Sequence, residues 1–211
     1  MILFNMKSAI AILALTFITN KAYVSTKDID DYKEVAKTGD IILQTNFDTP
    51  AAYALHVGTL SKYNHAGVVV REGEKYFVYE ALRHIKKTPL SGYIKRKGTL
   101  NRFTVTRVEM TKKQRSKVAA YVKSKKGKNY DPELNWSDKN YYCSELAYKA
   151  YLSAGIKIYE PKKLKDMPLA VFISKNMKHN FRINRISLDQ KVVSPADLGR
   201  FWRVKQVFTN Y

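Results

Sequence analysis

A second cysteine is missing from these 211 residues, so Cys143 has no internal disulfide partner. It is therefore a buried spectator, an intermolecular link or a working thiol. Free cysteine is among the most often buried residue types, which makes the spectator the default reading. Acidic residues are scarce as well: 18 Asp and Glu stand against 38 Lys and Arg, a net charge of +20. That balance points to an anionic environment such as cell-wall polymer, anionic lipid or nucleic acid. The 4 histidines, at 56, 65, 84 and 179, lack ligand spacing, so neither a metal site nor a cofactor is expected. Internal repeats, low-complexity linkers and nucleic-acid motifs are absent, which places nucleic acid last among the partners.

One uninterrupted apolar run is present, at the start. Met6-Lys7 supplies a short basic beginning, Ser8 to Ile18 is almost wholly apolar, and Asn20-Lys21-Ala22 closes it with a small residue. Residues 1–22 are read as a cleavable signal peptide, with Met6 an alternative start, and the protein as exported to the periplasm or the exterior. The run is short for a bilayer span, and no cysteine follows it to carry a lipid. Removing Lys7 and Lys21 with the leader takes the charge from +20 to +18. Residues 23–211 are then enough for one domain with a sizeable core.

Periodicity along that domain predicts an α+β fold. Lys27 to Thr38 reads as a polar helical lead-in, Ile41 to Gln44 as a short buried strand and Ala51 to Tyr63 as a helix. Ala66–Arg71 and Tyr76–Ala81 read as a hairpin, Pro89–Gly98 as a crossing loop with a helical turn, and Arg102–Val108 as a third long strand. Thr111 caps a helix that Gly127 stops, and Cys143 to Ala154 is helical up to Gly155. Pro161 to Arg185 reads as irregular and basic, and Phe201 to Phe208 as a last strand.

Cys143 thus stands at a helix N-terminus, where about half a positive charge and unpaired N–H groups favour its thiolate. The N–H of Cys143 or of Ser144 is positioned to hold an oxyanion. Among the histidines, His65 is preferred as the base because it enters a strand through His65-Ala66-Gly67, whose small residues leave room for a neighbour. His84 is the backup, while His56 and His179 read as structural or solvated. If Glu72-Gly73 is a two-residue turn, Arg71 pairs with Glu74 and His65 falls directly opposite Glu80. On residues alone a structural cysteine beside a satisfied core histidine fits as well as a triad does.

The strings His65-Ala-Gly-Val-Val, Tyr79-Glu80-Ala81 and Tyr141-Tyr-Cys143-Ser-Glu-Leu146, in this order, resemble the YiiX/YebB-like branch of the NlpC/P60 superfamily. Gly39-Asp-Ile-Ile-Leu-Gln44, the stretch from Tyr130-Asp-Pro132 to Trp136-Ser-Asp138, and Val193-Ser-Pro195 fit the same pattern. The resemblance implies a circularly permuted papain-like fold, an antiparallel sheet packed against helices. It also implies Cys143 as nucleophile, His65 as base and Glu80 as third member. Gln44 is a candidate amide donor to the oxyanion, and Tyr130 and Tyr142 are candidate cleft residues, with aromatic packing the stronger alternative for both tyrosines. The expected activity is thiol-dependent hydrolysis of an amide or ester through a thioester, with a cell-wall peptide as substrate. A lipid or lipidated-amine deacylase, and a non-catalytic basic module that binds cell wall or anionic membrane, are the alternatives.

Overall fold

The computed structural model describes residues 26–48, 50–96, 99, 102–200 and 204–211. The apolar leader at residues 1–22 lies outside them, as do Phe201, Trp202 and Arg203 of the expected last strand. Eight strands occur among the described residues: β1 Ile41–Gln44, β2 His65–Glu72, β3 Lys75–Ala81, β4 Ile85–Pro89, β5 Phe103–Val108, β6 Lys162–Lys163, β7 Lys191–Val192 and β8 Val204–Thr209. The helices are α1 Thr26–Val35, α2 Pro50–Gly58, α3 Leu90–Ile94, α4 Lys112–Ser124, α5 Cys143–Ser153, α6 Ala170–Phe181 and α7 Pro195–Leu198.

Six strands form one antiparallel sheet in the order β4-β3-β2-β1-β5-β8, and β6 pairs with β7 in a separate ribbon. Every residue of β1 is buried because both faces of the sheet are covered. Ile41 and Leu43, with Ala66, Val68 and Val70, pack among buried residues of α4, α5 and α6. The alternate residues Ile42, Val69, Val78 and Phe103 pack against Ile29 and Tyr32 of α1 and Leu90, Tyr93 and Ile94 of α3.

The hairpin between β2 and β3 departs from the expected register. Glu72 pairs with Lys75 and Val68 with Tyr79, so the turn residues are Gly73 and Glu74. Gly73 takes φ +59, and a glycine at the first central position is what a type II′ hairpin turn requires. Carried one step further, the ladder sets Gly67 opposite Glu80, two residues from the expected partner His65. A shift of two keeps both side chains on one face, so the His65–Glu80 pairing survives as a diagonal contact.

Three other elements differ from expectation. The segment read as irregular between Pro161 and Arg185 contains α6, whose buried stripe is Ala170, Ile173, Ser174 and Met177. Its ends carry no sequence signal: Leu169 precedes it without a side-chain cap, and Arg182 rather than glycine takes the left-handed C-cap at φ +53. The α2 helix stops at Gly58, short of Tyr63, and a Cβ added there would lie 2.2 Å from Cγ1 of Ile173. Close approach of α6 therefore requires the glycine. Strand β4 fills the stretch between Ala81 and the expected loop, to which no element was assigned, as a Lys-bearing edge strand.

Candidate active site

Cys143 is the first residue of α5, after Tyr142 in extended conformation. Leu146, Ala147, Ala150 and Tyr151 recur at helical spacing and bury the face of α5 that anchors it in the core. The thiol is free and 5% exposed. Burial alone pushes its pKa up, but hydrogen bonding and charge attraction from His65, with the Ala66 and Ser144 N–H groups, bring it below the ordinary thiol value.

His65 opens β2, paired with Gln44 of β1. Its ring stacks on Tyr93 with centroids 5.7 Å apart and planes at 23°. Nε2 lies 2.6 Å from Oε2 of Glu80, which leaves Nδ1 for the thiol. Burial pulls the His65 pKa down; hydrogen bonds and charge from Cys143 and Glu80 overcome it and raise the value to about 9. A lowered thiol beside a raised imidazole favours the thiolate–imidazolium form of the pair.

Glu80 is fully buried in β3. Both of its oxygens are occupied: Arg96 Nη1 donates to Oε2 at 2.8 Å, Arg96 Nη2 donates to Oε1, and the Thr88 hydroxyl donates to Oε1 at 2.6 Å. Burial raises the carboxyl pKa, but His65 and Arg96 outweigh it and hold the value at about 2. The carboxylate thus stays charged and fixes the imidazole by its Nε2–H. Neither Arg96 nor Tyr93 is found by sequence reasoning. The one available signal is the rule that a buried carboxylate needs a cation, which does not say which of 38 basic residues supplies it.

The remaining candidates divide. Ser144 directs its N–H at the sulfur, while its hydroxyl donates to the Val193 carbonyl at 2.7 Å. Val193 N–H donates in turn to the Tyr142 phenol at 3.2 Å, so the Val193-Ser-Pro195 string clamps the start of α5. Tyr130 lines the space beside Cys143 and stacks on Phe181 at 5.7 Å. Gln44 is not brought to the cavity: it shares the sheet face of His65 and Tyr93, is fully buried, and spends its amide on the Ile94 carbonyl at 3.3 Å. The strand register thus makes Gln44 part of the shelf under His65. The room left by Gly67 is also filled by protein, since a Cβ there would meet Val78 Cγ1 at 2.3 Å and Tyr93 Cε2 at 3.4 Å. His84 lines the cavity from its exposed rim, His56 lies edge-on to Phe47, and His179 is in the last turn of α6.

Cys143 lies between two spaces. One is an open cavity of about 430 Å³, bordered by His65, Tyr130, Asn64 and Phe181, with Arg83, His84 and Lys86 toward its rim. The other is an apolar slot of about 30 Å³ between Leu55, Leu134, Met167, Ile173 and Val192. Among the described residues no three His, Cys, Asp or Glu side chains gather as a metal site.

The chain is 36% identical over 163 residues to the uncharacterized protein YiiX of Escherichia coli strain K12, covering 75% of this chain and 79% of that one. A solved structure titled as metalloprotein YiiX from Escherichia coli O157:H7 matches with a TM-score of 0.75 at 34% identity, covering 83% of this chain and 98% of that one. In this chain Glu80 is saturated by Arg96, Thr88 and His65, and the thiol is engaged by His65, so these side chains do not fit a metal. Residues 35–208 match the family model described as permuted papain-like amidase enzyme, YaeF/YiiX, C92 family. Its α+β architecture and its cysteine, histidine and buried glutamate in permuted order agree with that match, and the chain belongs to the permuted papain-like amidase family.

Proposed function

We propose that this cysteine amidase cleaves an amide bond in a peptide that carries carboxylates, such as the peptide of an anionic cell wall. The Cys143 thiolate attacks the carbonyl carbon, and the oxyanion is met by N–H groups at the start of α5. His65 gives its Nδ1 proton to the leaving nitrogen, which departs as an amine and leaves a thioester on Cys143. Water, deprotonated by the same imidazole, then releases the acid and restores the thiol. Glu80, braced by Arg96, holds the Nε2–H throughout.

The cationic rim of the open cavity beside the thiol supports a carboxylate-bearing substrate, and the slot, at about 30 Å³, accommodates on the order of two water-sized groups, enough for a small side chain. Arg83 and Lys86 at the cavity rim offer charge, and His84 a ring N–H, to a substrate carboxylate. The apolar run at residues 8–18 and the charge of +20 support an exported enzyme acting at an anionic surface. The test is parallel digestion of purified peptidoglycan and of acyl-lipid substrates with wild-type and C143A protein. New amine termini that depend on Cys143 are expected. Free fatty acid without new amines would overturn the peptide reading, and turnover in neither digest with intact binding would favour a non-catalytic module.

A further inference from the structure

The outer surface of the wall formed by α2 and α6 has no part in this chemistry, yet it is apolar and open. Leu60 is 66% exposed, Val171 69%, Leu169 40% and Phe172 38%. The fold brings them together, because the Leu169 N–H bonds the Gly58 carbonyl at 3.2 Å while Ile173 presses on Gly58. The first turn of α6 is thereby seated on the end of α2, two residues from Leu60. Single exposed apolar side chains are ordinary; four at one helix junction mark a contact surface.

Charge selects the occupant. Residues 50–64 and 168–188, which carry α2, α6 and their flanks, contain no Asp or Glu, and they carry Lys62, Lys175, Lys178, Arg182 and Arg185. Among the described residues none of these five forms an ion pair, whereas Lys163 and Lys165 nearby in sequence are both held by Asp189. A second copy of the chain would set these cations against each other. A polysaccharide would give leucine, valine and phenylalanine nothing to enter. An anionic bilayer satisfies both features, with apolar side chains in the acyl boundary and ammonium and guanidinium groups among the phosphates. No helix among the described residues is long and apolar enough to cross a membrane, so the contact of this wall is peripheral.

We infer that the α2–α6 face docks the enzyme on an anionic lipid bilayer. The same helices border the catalytic cavity through Leu55 and Phe181, so docking holds the cavity beside the membrane whichever amide is cleaved. The test is sedimentation of the full chain with vesicles of phosphatidylcholine alone, or with about 30 mol % phosphatidylglycerol. Binding to the anionic vesicles alone is expected, falling about tenfold or more in V171D/F172D and in K175E/K178E. Circular dichroism and labelling of Cys143 by a thiol-directed probe should stay at wild-type levels; should V171D/F172D misfold, the lysine pair decides. Unchanged binding by the folded variants would assign it to another part of the chain, such as the apolar N-terminal run, and overturn the inference. So would equal binding to both vesicles, or binding only to cell-wall sacculi or to a second copy.

Discussion

Among the described residues two buried carboxylates are gripped by arginine, and the contrast between them shows what turns a structural ion pair into a candidate site. Asp40 accepts from Arg107 Nε at 2.6 Å and Nη2 at 2.8 Å, from the Tyr32 hydroxyl at 3.0 Å and from the Lys37 N–H at 2.9 Å. The remaining reach of Arg107 goes to the Val35 carbonyl. Every partner there belongs to the frame, and the cluster pins α1 to β1 and β5. Glu80 has the same arginine fork and full burial, but it spends one oxygen partly on an imidazole whose far side meets a thiol bordering a cavity. Charge saturation is common to both; a titratable relay toward open space belongs to one.

The largest effect should come from removing the end of that relay. C143A is expected to lower kcat by about 10⁴-fold or more with thermal unfolding little changed, and H65A to match that loss of kcat while also lowering stability, since it leaves the buried Glu80 without its imidazole, as steady-state assays and calorimetry would report. The comparison itself is tested by E80Q against D40N. E80Q should cost about 10²- to 10⁴-fold in kcat, since the imidazole loses its ionic anchor. D40N should cost about 3–5 kcal/mol of stability while its folded fraction turns over normally. Equal losses of kcat in the two variants would erase the distinction.

R96M leaves Glu80 buried without its fork, so a smaller loss of about 10- to 100-fold is expected, with the Glu80 carboxyl titrating higher. A chemical-shift titration of Glu80 would detect the change. The pH profile sharpens the contrast further. Turnover should fall above about 9, where the His65 imidazolium loses the proton needed by the leaving amine. Stability follows the same sign: the raised His65 value contributes fully below 6.5 and is lost as pH rises through about 9. The lowered Glu80 value contributes above 4.5 and is lost as pH falls through about 2. H65Q should remove the alkaline stability loss in calorimetric scans. The smallest effect is expected from G67A, about 1–3 kcal/mol in denaturant titration, because its methyl group would push Val78 and the Tyr93 ring that supports His65.

Much of the fold was legible because its signals are local. β-rich runs around a turn signal mark β2 and β3, alternation marks β5, the Thr111 hydroxyl caps α4 by accepting from Gln114 N–H at 3.2 Å, and Gly155 with φ +76 follows the end of α5. Cys143 at the start of α5 could be found in the same way, by apolar spacing after an aromatic turn. The β2–β3 register was misjudged by two because a Glu-Gly-Glu sequence does not say whether glycine is the first or second turn residue. Helix α6 stayed hidden because its caps lie in backbone geometry, and its outward Val171 and Phe172 blur the period.

What the amino-acid sequence determined by itself is most of the elements and the candidacy of Cys143, His65 and Glu80, since helix starts, strand patterning and a lone thiol are properties of neighbouring residues. What only the tertiary structure decided is their company. Arg96 and Thr88 reach Glu80, Tyr93 supports His65, Gln44 turns to the Ile94 carbonyl, and α6 closes on Gly58 through contacts between distant parts of the chain. Such contacts depend on register, on which face a strand presents, and on how closely two helices approach, quantities that arise only when separate segments are packed together.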